Sequence, residues 1–124
     1  MLEVGLNHTS VLTVTDAVTA MAFGSGELRV LATPAMLALM ENAAMLAVAG
    51  VLPEGCTTVG GYIESSHLKP TKVGEKVRAT AEVIKVDGKK IYFKVAAFAG
   101  DVLLGEGTHL RFVVDREKFL SKIL

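Results

Sequence analysis

Hydrophobic and polar positions divide this chain into one long, mostly apolar run and several alternating stretches. The run covers residues 30–52 and is interrupted at its centre by Glu41 and Asn42. Thr33 is placed to act as a helix N-cap and Pro34 as the first helical residue, an arrangement that helix starts favour. Ala35, Met36, Leu37, Ala38, Leu39, Met40 and the stretch 43–49 are mostly good helix formers, and Gly50 with Pro53 supplies a stop. The pattern predicts a helix over 34–49, about 24 Å long. A surface helix shows one apolar stripe. This one is apolar almost all round, so it is expected to be enclosed by the rest of the chain.

The remainder reads as strands. Residues 4–15 hold a strand signal strongest at 10–15, where β-branched residues concentrate. The stretch 16–27 reads as a loop punctuated by Gly24-Ser25-Gly26. Strands are expected over 57–69, 76–86, 90–99 and 102–114. In 76–86, Val77, Ala79, Ala81 and Val83 alternate with Arg78, Thr80 and Glu82. Asp87-Gly88 and Gly100-Asp101 mark turns. Gly105 and Gly107 mark a bulge or a close approach, and Asp115 is placed to cap a short terminal helix. One buried helix followed by an antiparallel meander predicts a single α+β domain over 1–124, with the sheet wrapped around the helix.

Composition excludes several functions. Thirteen basic and thirteen acidic residues balance, and no basic run exceeds two residues, so no nucleic-acid footprint exists. The lone Cys56 can form neither an internal disulfide nor a zinc site. No metal-ligand cluster or phosphate-binding glycine loop is recognisable. The start Met1-Leu2-Glu3-Val4 has no signal-like block. Glu41 and Asn42 in the middle of 30–52 argue against a membrane span. A cytoplasmic protein is expected, and its apolar composition favours a dimer.

Glu41 is the residue that most needs a reason. A carboxylate in an enclosed helix costs several kcal/mol unless paired, and the expected response is a raised pKa, as a general base uses. The competing reading is a satisfied buried carboxylate, or a helix face meeting solvent at a cleft. Asn42 reads as a structural hydrogen-bonder or a rim residue. Thr33 is explained by capping alone. His67 is placed on a strand, sharing a face with residues 63 and 65. His8 and His109 read as ordinary partly exposed strand residues.

The segment 30–44, VLATPAMLALMENAA, resembles the helix motif of the fluoroacetyl-CoA thioesterase-like branch of the hotdog superfamily. That branch carries a Thr, Glu, His triad with the Thr eight residues before the Glu and the His twenty-six after it. Thr33, Glu41 and His67 keep both separations. The stretches 67–74 and 105–109 are also similar to the family, and the resemblance covers nearly the whole chain. It implies a hotdog fold and acyl-CoA thioester hydrolysis without a separate cofactor, coenzyme A being part of the substrate. It also implies a homodimer, or a tetramer built from it, with sites at the interface. Glu41 would act as nucleophile or base, assisted by Thr33 and His67. Backbone amides near Gly60 and Gly61 would serve the oxyanion, and Asn42 and Phe23 would line the substrate site. Lys69, Lys72, Lys89, Lys90 and Arg111 are candidate partners for the coenzyme A phosphates. The alternative is a non-catalytic acyl-CoA binder of the same fold.

Overall fold

The computed structural model describes residues 1–124. Strand β1 (Asn7–Thr13) leads through a 3-10 turn into a single helical turn, α1 (Ala20–Phe23), and then into the long helix α2 (Thr33–Ala49). Four strands follow: β2 (Cys56–Ser65), β3 (Lys76–Asp87), β4 (Lys90–Ala99) and β5 (Val102–Asp115). A short helix, α3 (Arg116–Ser121), ends the chain. The strands form one antiparallel sheet in the order β1-β3-β4-β5-β2, with α2 packed mainly on β1 and β3.

The alternation in β3 gives the core its floor. Val77, Ala79, Ala81 and Val83 are all buried, as are Ile91, Phe93, Val95 and Ala97 of β4. Against them α2 lays Ala35, Met36, Met40, Ala43, Ala44 and Val48. The alanines on both surfaces let helix and sheet approach closely. Each large side chain buried there stabilises the fold by about 1.5–3 kcal/mol. Tight turns at Gly88 (φ 61°) and Gly100 (φ 58°) join β3 to β4 and β4 to β5, the left-handed conformation that glycine adopts without penalty. The Asp115 carboxylate caps α3 by accepting from the Lys118 amide at 3.1 Å.

Several expectations are corrected. Strand β1 starts and ends earlier than 10–15, and Val14 turns into the core instead. The stretch 16–27 is not all loop: the Thr19 hydroxyl accepts from the Ala22 amide to start α1, and Gly24 (φ 74°) ends it. Thr33 is not the N-cap of α2. That position is Ala32, which offers no side-chain cap, and Thr33 is already helical. His67 lies just beyond β2 rather than on it. Its own chain does not enclose α2 on all sides. The sheet covers one face, while Ala38, Asn42, Leu46 and Ala49 on the other are exposed.

Past β2 the chain stays against β5. The Ser66 amide donates to the Glu106 carbonyl at 3.1 Å, and the Leu68 amide donates to the Leu104 carbonyl at 2.6 Å. Glycines make this possible. A Cβ on Gly107 would collide with the Glu64 carbonyl, and one on Gly105 with the Ser66 carbonyl. The close approach read from these two glycines is therefore real, and it delivers His67 to the first turn of α2.

Candidate active site

The first cluster forms where α2 begins. Thr33, released from capping, places its hydroxyl oxygen 2.7 Å from Nδ1 of His67. The other ring nitrogen, Nε2, is buried without a hydrogen-bond partner. The pair lines a hollow of about 380 Å³ together with Ala20, Ser25, Leu31 and Lys69. If Thr33 donates, Nε2 carries the ring proton and is an acid. If Nδ1–H donates, Nε2 is a base. Either way Nε2 is the end of the pair whose hydrogen-bonding capacity is unused.

The second cluster lies two turns further along α2. The Glu41 side chain is 42% exposed, not sealed in the core, and its Oε2 lies 3.7 Å from Nη1 of Arg111. The enclosure assumed for Glu41 is thus absent within the single chain, for the same reason that α2 is covered on one face only. Arg111 itself is buried. Its Nε donates to the Thr58 hydroxyl at 2.8 Å and its Nη2 to the Thr58 carbonyl at 3.0 Å. Its Nη1 lies 3.2 Å from Nε2 of His109, and Nδ1 of His109 lies 2.7 Å from the Tyr62 carbonyl. Gly60 completes this cluster: a Cβ there would sit 2.9 Å from Glu41 Oε2, so glycine keeps the strand backbone open beside the carboxylate.

The structure therefore joins Thr33 to His67, and Glu41 to Gly60, but it does not join the two pairs in one chain. Eight helical residues separate Thr33 from Glu41, a rise of about 12 Å. Gly61 is the bulged residue of β2, without a partner on β5, and is packed against the Phe112 ring. Asn42 accepts from the Ser10 hydroxyl at 2.6 Å and so ties α2 to β1. With Phe23, Leu12, Val18, Ala35 and Leu39 it lines a separate apolar hollow. Lys69, Lys72, Lys89 and Lys90 are exposed. Arg111, grouped with them as a phosphate partner from sequence, is instead 6% exposed and fully engaged. His109, read as an ordinary strand residue, is 2% exposed.

Sequence reasoning missed Thr58 and gave His109 and Arg111 other roles than the ones they hold in this cluster. A signal existed: 105, 107, 109 and 111 share one face of β5 by period two. It was masked because Leu110, Phe112 and Val114 on the opposite face look like the core side. No three His, Cys, Asp or Glu side chains converge as a metal site requires, and no helix is long and apolar enough to cross a membrane.

Burial lowers both histidines. His67 falls below its ordinary value of 6.5 through desolvation, opposed by the Lys69 backbone. His109 falls chiefly through desolvation and also through Arg111, opposed by the Tyr62 carbonyl and Glu41. Burial likewise pulls the Arg111 guanidinium down, against Glu41. The linkage has a definite sign. Above 6.5 both rings are neutral, folded or unfolded. Below it the unfolded chain takes up protons that the folded rings refuse, so stability falls with falling pH until the folded values are passed. Urea midpoints are expected to drop between about pH 7 and pH 5 with unchanged slope. A midpoint that stays flat over that range would contradict the burial of these rings.

Comparison with known proteins gives the family and the fold. Residues 14–117 match the fluoroacetyl-CoA-specific thioesterase family (FlK). The chain is 38% identical over 94 residues to the fluoroacetyl-CoA thioesterase of Streptantibioticus cattleyicolor, covering 76% of this chain and 68% of that one. It superposes on a threonine-to-serine mutant of the fluoroacetyl-CoA enzyme FlK in complex with acetyl-CoA with a TM-score of 0.92, at 31% identity, over 98% of this chain and 96% of that one. A hot-dog-like protein from Thermanaerovibrio acidaminovorans superposes with a TM-score of 0.88, at 24% identity, over 98% and 90% of the two chains. The α+β hotdog expectation is borne out, and the chain belongs to the fluoroacetyl-CoA-specific thioesterase family.

Proposed function

We propose that this protein hydrolyses a short acyl-coenzyme A thioester to free acid and coenzyme A, as a homodimer whose two sites each draw on both subunits. The observation that carries the reading is the Glu41 carboxylate set beside the open backbone at Gly60 and held by a buried arginine. That is a poised oxygen nucleophile or base next to room for a carbonyl. The relatives that act on or bind acyl-CoA supply the substrate class.

In the proposed reaction Glu41 attacks the thioester carbon, or removes a proton from a water that does. The carbonyl oxygen gains negative charge and is met by backbone N–H groups around Gly60 and Gly61. The C–S bond then breaks, and the departing thiolate takes a proton from Nε2 of His67, with Thr33 orienting the ring. Where Glu41 is the nucleophile, water then cleaves the acyl–Glu41 anhydride to free acid and carboxylate, and one of its protons restores His67. Where Glu41 is the base, the water proton it took is passed on to restore His67. Strand β2 ends the sheet, so one of its edges is free to pair with β2 of a second copy. That free edge supports a dimer, in which Gly60, Gly61 and Glu41 would lie near the seam. The segment 21–27 holds a single aromatic, Phe23, which supports a small acyl group of general type rather than a fluorine-selective pocket.

The test is thiol release from a panel of acetyl-, fluoroacetyl-, propionyl-, butyryl- and isobutyryl-CoA. Release from at least one short substrate is expected. Tight binding across the panel with no release would instead identify a non-catalytic acyl-CoA binder.

A further inference from the structure

We propose that His109 is a positioning residue for Glu41, acting through Arg111 as a neutral imidazole whose single ring proton is held on Nδ1. The proposal rests on Glu41 being the reacting carboxylate.

The tautomer follows from donor and acceptor chemistry. A backbone carbonyl only accepts, so Nδ1, 2.7 Å from the Tyr62 oxygen, carries the proton. A guanidinium only donates, so Nε2, 3.2 Å from Arg111 Nη1, presents its lone pair. The two bonds together leave one protonation state. An imidazolium would offer Arg111 no acceptor and would set two cations side by side in a buried site. Tyr62 directly follows the bulged Gly61, and a bulge re-aims the groups beside it. The groups facing the ring are Arg111 on its own strand, Glu41 from α2, the Phe93 ring from β4 at 5.9 Å between centroids, and the Tyr62 carbonyl from β2. Glu41 is the one anion among them, and a Cβ on Gly60 would meet it, the His109 ring and Arg111 Nη1 together.

Arg111 is thereby fixed at every nitrogen. Nε and Nη2 are held by Thr58, and Nη1 lies 3.2 Å from the His109 acceptor and 3.7 Å from Glu41. Removing the acceptor at 109 takes away one anchor of the planar guanidinium, which can then shift as a unit on its Thr58 bonds, and the carboxylate loses its fixed partner. Protonating His109 does the same.

The test combines imidazole 15N NMR with kinetics on the intact protein. The spectrum is expected to show His109 neutral with the proton on Nδ1 at neutral pH. His109→Leu is expected to lower kcat about 10-fold with KM changed less than about 3-fold, as a small displacement of a reacting group does. His109→Gln keeps an acceptor for Arg111 but cannot titrate. It is expected to recover most of kcat and to flatten the fall of kcat on the acid side. A proton on Nε2, or an imidazolium at neutral pH, overturns the proposal. A folded His109→Leu protein with wild-type kcat and pH profile also overturns it, while the function stands. A wild type that releases no thiol overturns the functional reading first, and this one with it.

Discussion

Glu41→Gln is expected to lower kcat for thiol release by about 10²–10⁴-fold, the range that loss of a general base or nucleophile produces. The amide keeps the size of the carboxylate and an oxygen for Arg111, but it neither attacks a carbonyl nor takes a proton. The fold is expected to survive. The carboxylate is 42% exposed and 3.7 Å from its partner, and ion pairs so open to water contribute little to stability. Arg111 keeps its bonds to Thr58 and His109. The thermal midpoint should therefore stay close to wild type, which separates lost chemistry from lost structure. KM should change far less than kcat, because the thioester still finds the same walls. Full activity in this variant would remove Glu41 from the mechanism even if the protein proved to be a thioesterase.

The parts of the molecule that sequence made legible are those where one physical rule acts alone. The alternation Val77, Ala79, Ala81, Val83 marks a strand buried on one face, and that face is the core floor. Asp115 before a charged, helix-forming tail reads as a cap and is one. Where two rules compete, the wrong one was followed. Thr33 before Pro34 satisfies every helix-start preference, yet the hydroxyl bonds to His67 instead. The partner arrives from thirty-four residues away, on the segment just past β2, and outweighs a local cap. The apolar circumference of α2 was read as enclosure by its own chain. The sheet covers one face, and the remaining apolar positions, Leu46 among them, stay open. In β5 the alternation is inverted near its end, with polar His109 and Arg111 inward and Leu110 and Phe112 outward. A rule that sends apolar residues inside assigns those faces backwards. The triad spacing was legible only through the family resemblance. Periodicity gives no reason for Thr33 and His67 to meet, because the contact depends on Gly105 and Gly107 admitting the chain across β5.

Mixing two inactive variants should restore activity if each site is shared between subunits. Within one chain Thr33 and His67 are joined at 2.7 Å, while Glu41 is held against Arg111 two helical turns away. A rise of about 12 Å along α2 separates the two groups, too far for one substrate carbonyl to touch both. In the proposed dimer, a two-fold axis beside the free edge of β2 would bring the Glu41 half of one copy towards the Thr33–His67 half of the other, since a two-fold interface presents each patch to its counterpart. In a heterodimer of Glu41→Gln with His67→Ala, one site then receives both substitutions and the other receives neither. Random reassortment makes half of the dimers mixed, so the mixture should recover about one quarter of wild-type activity, from parents that are each nearly dead. The measurement is thiol release after the two variants are unfolded together and refolded, with each parent refolded alone as a control. Sites complete within one chain would give a mixture no better than the mean of its parents, because every mixed dimer would then carry one fault in each site.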